Sequence, residues 1–165
     1  MSGDLSGFPT LKPAIITKVN IGELNDLGTI HNGSRLMHFG TPTGTIESVP
    51  GFEPAFKATV NFGADWLSFD PDGTHGRIDL RGMAKTEEGH SIDFRYQGII
   101  KMAPEVKKIF EMSPEAATVP FGFANPALKP LENSVFVSNG RIKVHEKGLL
   151  VETRQSLVIA STVMD

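Results

Sequence analysis

Two runs in the middle of the chain alternate apolar and polar residues with a period of two. The first is Arg77-Ile78-Asp79-Leu80-Arg81-Gly82-Met83-Ala84 and the second His90-Ser91-Ile92-Asp93-Phe94-Arg95-Tyr96-Gln97-Gly98. That period is strand spacing and does not fit a helical stripe. One face carries Ile78, Leu80, Ala84, Ile92, Phe94 and Tyr96; the other carries Asp79, Arg81, Met83, Asp93, Arg95 and Gln97. Glu87-Glu88-Gly89 between the runs suits a three-residue hairpin loop with glycine in the left-handed position. The resulting register sets Thr86 opposite His90, Arg81 opposite Arg95 and Asp79 opposite Gln97. Facing arginines repel, but Asp93 lies diagonal to Arg81 and Asp79 diagonal to Arg95, within reach of long side chains. Spacing alone leaves two readings open: a solvated outer face on a half-buried sheet, or the polar lumen of a barrel.

The same signals recur along the chain. Residues 1–13 read as a flexible lead-in, and residues 14–165 as one domain. Strands are expected at Ala14–Ile21, Ser34–Gly40, Thr43–Val49 and Ala55–Val60, with Asn32-Gly33 and Pro50-Gly51 as turns. Leu24–Thr29 reads as loop. Asp70-Pro71-Asp72-Gly73 is a turn ahead of the central hairpin. One short helix is expected at Pro104–Phe110, begun by proline and glutamate and ended before Pro114. Thr118–Leu131 reads as an ordered, irregular loop. Closing strands are expected at Asn133–Ser138, Arg141–His145 and Leu149–Ala160, separated at Asn139-Gly140 and Lys147-Gly148. Many short strands with one minor helix predict an all-β antiparallel barrel or sandwich.

Composition removes several classes of function. Lys and Arg number 16 against 19 Asp and Glu, a net charge of −3, so no basic footprint for nucleic acid exists. There is no cysteine, hence neither disulfides nor thiolate chemistry. The amino terminus lacks the basic and apolar regions of a secretory signal, and no apolar run reaches the ~20 residues of a membrane span. A cytoplasmic protein with no membrane partner is therefore expected. His31, His38, His75, His90 and His145 show no metal-ligand spacing. Neither a nucleophile elbow nor a phosphate-cradling glycine loop is present.

Gly63-Ala64-Asp65-Trp66, Asp72-Gly73, Ile78-Asp79-Leu80-Arg81, Thr86–Gly89 and Ile92–Gly98 together resemble the central pattern of the DUF3237 (UPF0311) family. Leu131–Arg141 is similar to its segment near the carboxyl end. The resemblance implies a lipocalin-like antiparallel β-barrel, often a homo-oligomer, with no metal or organic cofactor. It also points toward fungal relatives that cyclise or rearrange prenylated aromatic polyketides. Asp93 stands where the family usually has Tyr, and Gly82 where Tyr follows Arg, which implies a specialised pocket. Because Asp79, Arg81 and Arg95 recur in the family pattern, the resemblance favours the lumen reading of the charged face.

On that reading the chain is a cofactor-independent cyclase or isomerase acting on a small hydrophobic aromatic substrate, with a non-catalytic ligand-binding barrel as the alternative. Arg81 and Arg95 would hold a phenolate or enolate oxygen. Asp93, or Asp65, would move the proton; carboxyls in unlike surroundings are driven to different protonation states. His38, Phe39, Trp66, Asp79 and Phe123 would line the substrate.

Overall fold

In a computed structural model of the chain, residues 7–122, 124–128 and 135–159 are described. Ten strands and one helix follow in the order β1 (Thr10–Asn20), β2 (Leu24–Thr29), β3 (Arg35–Gly40), β4 (Thr43–Ser48), β5 (Lys57–Phe69), β6 (His75–Thr86), β7 (Ser91–Lys101), α1 (Pro104–Phe110), β8 (Ala124–Leu128), β9 (Phe136–His145) and β10 (Gly148–Ile159). They form one antiparallel sheet, β2-β3-β5-β4-β1-β10-β9-β8-β7-β6, which curls until β6 pairs with β5. The architecture is barrel-like. The β8–β9 seam is thin: among the described residues a single pair, Ala124 with Gly140, joins the two strands.

β5 makes the curl possible. One of its edges pairs with β4 over Lys57–Val60 and with β3 over Ala64–Phe69, while the other pairs with β6. A bulge between Val60 and Phe62 bends the strand between these duties. Gly82, opposite Gly63 on β6, has no room for a side chain, because a Cβ there would lie 2.6 Å from the Phe94 ring.

The central hairpin has the register its sequence dictates. Asp79 pairs with Gln97 and Arg81 with Arg95, and the Thr86 N–H donates to the His90 carbonyl at 2.9 Å. Gly89 takes φ 90° in the connecting turn. Ile78, Leu80, Ala84, Ile92, Phe94 and Tyr96 all point inward, and Leu80, Ala84, Phe94 and Tyr96 are buried. The helix occupies Pro104–Phe110 as expected, burying Val106 and Ile109 against one end of the barrel.

Several elements depart from expectation. β1 starts at Thr10, because Thr10–Pro13 pair with Ser156–Ile159 of β10. Leu24–Thr29 is a strand: backbone bonding to β3 holds this exposed edge, which carries no alternating pattern. Asn139-Gly140 is no turn but continues β9, with Gly140 buried opposite Thr153.

The interior has two halves. Ile15, Ile46, Val60, Leu80, Phe94 and Phe136 belong to one cluster. Met37, Phe39, Leu67, Ile100, Ile109 and Ile142 belong to the other, at the α1 end, and Ile78 and Val151 pack on both.

Candidate active site: a buried carboxyl at the α1 end of the barrel

The charged face of the hairpin does not line the lumen. Apolar side chains of β6 and β7 occupy the interior, so strand alternation sends Asp79, Arg81, Asp93 and Arg95 outward. Arg81 and Arg95 are 56% and 45% exposed, and both converge on Asp79. Arg95 grips it with Nε and Nη2 at 3.0 and 3.2 Å, whereas Arg81 approaches at 3.5 Å. The diagonal pairing of Asp79 with Arg95 thus forms; Arg81 turns to Asp79 rather than to Asp93, which is exposed. Trp66 and His38 share this outer surface, edge to face with ring centroids 5.1 Å apart. The expectation that Arg81, Arg95 and Asp93 meet a substrate inside the barrel is corrected by this geometry, as is the pocket position given to His38, Trp66 and Asp79. Phe123 lies outside the described residues.

Asp65 and Phe39 do reach the interior. They face each other on β5 and β3 and line a small cavity of about 50 Å³ together with Leu67, Ile78, Tyr96 and Thr153. The lining is almost wholly apolar, and Phe110 of α1 closes it, packed edge to face on Phe39 and Phe69 at 5.8 and 5.4 Å. A second cavity of about 300 Å³ runs between α1 and the barrel rim, lined by Leu24, Ile109, Met112, Ala116 and Val144. Phe39, Phe110, Ile21 and Leu149 border both cavities.

The Asp65 carboxyl is pushed up to about 7. Burial is the main cause, the Asp79 N–H that donates to Oδ1 at 3.1 Å opposes it, and the negative charge of Asp79 adds to it. No ion pair reaches Asp65 among the described residues. Tyr96, fully buried beside it, has its phenol raised well above the ordinary range by burial and then by the Asp65 charge, and stays neutral. The chamber therefore holds one acid that exchanges a proton near neutral pH and neutral hydroxyls on Tyr96 and Thr153.

A polar bar bounds this chamber on its inner side. The Gln155 Nε2 donates to Thr17 at 3.2 Å and also to Thr153, all three side chains being buried. Sequence reasoning missed these residues. Their signal was a polar side chain on the apolar parity of a strand, as in Ile15-x-Thr17-x-Val19 and Val151-x-Thr153-x-Gln155.

Outside the barrel, Glu152 is only 2% exposed, beneath Arg141, Lys143 and Arg154 at 2.7, 3.0 and 3.3 Å. Burial works against its charge, but the hydrogen bonds from Lys143 and Arg141 outweigh that and hold it at about 2. Phe121 stacks beneath both arginines, 4.4 Å from Arg141 and 5.0 Å from Arg154. The Val119 N–H donates to the Ile142 carbonyl, and the Val144 N–H to the Thr118 hydroxyl. These contacts fasten the segment after α1 to β9 and β10. Among the described residues no cluster of His, Asp or Glu could hold a metal ion, and no helix is long and apolar enough to cross a membrane.

Fold and chamber define a β-barrel-like protein with a buried carboxyl, and solved structures share that fold. A protein of unknown function from Clostridium acetobutylicum aligns with TM-score 0.66 at 14% identity, covering 91% of this chain and 99% of its own. A conserved protein of unknown function from Rhodopseudomonas palustris gives 0.67 at 16%, covering 93% and 100%. A β-barrel-like protein from Acinetobacter baumannii gives 0.61 at 18%, covering 91% and 96%. Residues 9–158 match the family model described as "Protein of unknown function (DUF3237)", and the chain belongs to that family. Comparison with curated proteins finds no match.

Proposed function

We propose that the protein is a cofactor-free acid–base catalyst, a cyclase or isomerase for a small apolar substrate, with Asp65 as the group that moves the proton. The observation that carries this reading is a carboxyl poised near neutrality in an apolar chamber, with a single backbone N–H as its hydrogen-bond partner among the described residues. The groove under α1 holds the body of the substrate, and its reactive end passes Phe110 to reach Asp65. A 50 Å³ chamber has room for a few waters or a short terminal group, so α1 shifts when substrate enters.

For ring closure of a prenylated phenol the steps balance on one residue. The Asp65 carboxylic acid protonates the alkene, the phenol oxygen bonds to the resulting cation, and the phenolic proton returns to the carboxylate. The product is an isomer of the substrate. Acid–base catalysis of this kind supplies about 10²–10⁴-fold, and holding the chain folded supplies the rest. Incubation of the simplest ortho-prenylphenol in D2O tests it: a ring-closed product carrying one deuterium on carbon is expected, lost in Asp65→Asn. Cyclisation unaffected by that variant overturns the assignment.

A non-catalytic ligand-binding barrel is the second reading. It is favoured by the engagement of the nearby cations elsewhere: Arg81 and Arg95 point outward to Asp79, and Arg141, which borders the chamber, is paired with Glu152. Saturable binding without deuterium incorporation selects it. The outer hairpin face, where Phe62, Trp66 and Met83 stand exposed beside the Arg81–Asp79–Arg95 trio, is the surface we assign to contact between copies in a homo-oligomer; its test is the mass in solution of Met83→Glu.

A further inference from the structure

The barrel end away from α1 holds a cavity of about 390 Å³ that the proposed reaction does not use. Its walls are Ile15, Ile46, Phe56, Ile92 and Phe94, and its floor carries the Thr17 hydroxyl. Among the described residues, none lines both this cavity and the Asp65 chamber. The Gln155 side chain separates the two, bonded to Thr17 on one side and Thr153 on the other.

We propose that this cavity is a second ligand site, built for a neutral apolar molecule of about two fused rings that bears one hydrogen-bond acceptor. Size sets the first part of that description. An apolar cavity of roughly 150 Å³ accepts benzene, and this one is more than twice as large. The floor sets the second. Thr17 is 1% exposed and its oxygen accepts the Gln155 N–H, which leaves its own proton to donate. The rim sets the third. Glu88 and Thr86 border the mouth, and hydrogen bonds from its own backbone N–H and from the Thr86 hydroxyl keep the Glu88 carboxyl ionised. A fixed negative charge at the opening disfavours anionic ligands. His90, also at the mouth, is exposed.

Filling the cavity buries apolar surface on both molecules, and the donor in the floor orients the ligand, the usual division of labour in small-molecule sites. The site is independent of the Asp65 reaction, so its test is a binding measurement. Titrate 2-naphthol into 15N-labelled protein and follow amide shifts. Saturable changes are expected at residues 15–17, 46 and 92–94, with Ile142 and Leu67 of the other chamber unmoved. 2-Naphthoate binds more weakly, and Glu88→Gln narrows that difference. Ile92→Trp, at a partly exposed wall position, blocks the cavity and weakens binding by on the order of tenfold or more, and Asp65→Asn leaves it unchanged. Thr17→Val, checked for folding by its thermal transition, weakens naphthol but not naphthalene. Shifts confined to the α1 end, or binding untouched by Ile92→Trp, overturn the proposal, as does the absence of saturable binding.

Discussion

The Asp79 backbone N–H donates to the Asp65 carboxylate inside the barrel, while the Asp79 carboxylate points the other way, to Arg95. Two acidic residues on neighbouring strands thus share a backbone contact and have opposite chemistry. The outer one is solvated and paired with two arginines. The inner one lines the apolar chamber with one backbone donor, and desolvation raises it to about 7.

That difference has a pH signature. The folded Asp65 prefers its proton, whereas the unfolded side chain loses it near 3.8. Between those values the folded state binds more protons, so stability falls as pH rises through the window and the full cost is present above about 7. A shift of some three units corresponds to roughly 4 kcal/mol. Asp65→Asn should raise the melting temperature at pH 8 and leave it nearly unchanged at pH 4, as calorimetry would show. A variant destabilised at both pH values would contradict this.

Glu152 behaves in the opposite sense. Its folded value of about 2 lies below the ordinary 4.5, so it stabilises above pH 4.5 and that stability drains away as pH falls toward 2. Glu152→Gln leaves Arg141, Lys143 and Arg154 crowded without their counter-charge. We expect a loss of about 3 kcal/mol in urea unfolding at pH 7, with the segment at Phe121 exchanging its amide protons faster.

Arg95→Ala and Arg81→Ala should each cost under about 1 kcal/mol, since exposed ion pairs contribute little. They should also leave Asp65 titrating where it does in the parent protein. A large loss of turnover in either variant would return catalysis to the outer face.

Gly82→Ala places a methyl 2.6 Å from the rigid Phe94 ring and 2.8 Å from the Phe62 carbonyl. Overpacking of this kind costs about 1–3 kcal/mol. Phe94→Leu in the same chain should recover part of it, measured as a double-mutant cycle.

Much of this architecture was legible in the sequence, and the hairpin shows why. Period-two alternation specifies which residues share a face, and Glu87-Glu88-Gly89 specifies the register, so Arg81 against Arg95 followed without further information. Alternation is silent on which face looks inward. The lumen reading failed there: the six apolar residues of β6 and β7 had more to gain from burial than four charges had from desolvation. β2 was missed because an edge strand held by its backbone ladder and by the exposed Asp26–Arg35 ion pair needs no alternating apolar pattern. Asn139-Gly140 misled because glycine serves a buried interior strand position as well as a turn. Asp65 was picked out as a candidate by its residue type, but its lack of an ion pair among the described residues depends on where β3, β6 and β7 fold around it and on Arg141, at the chamber wall, pairing with Glu152.

Direct titration of the Asp65 carboxyl by 13C NMR, assigned with Asp65→Asn, is the most incisive measurement. A transition near pH 7, moving when the α1 groove is filled, is the predicted result. A transition near pH 4, that of a solvated aspartate, would contradict a buried proton-transfer site.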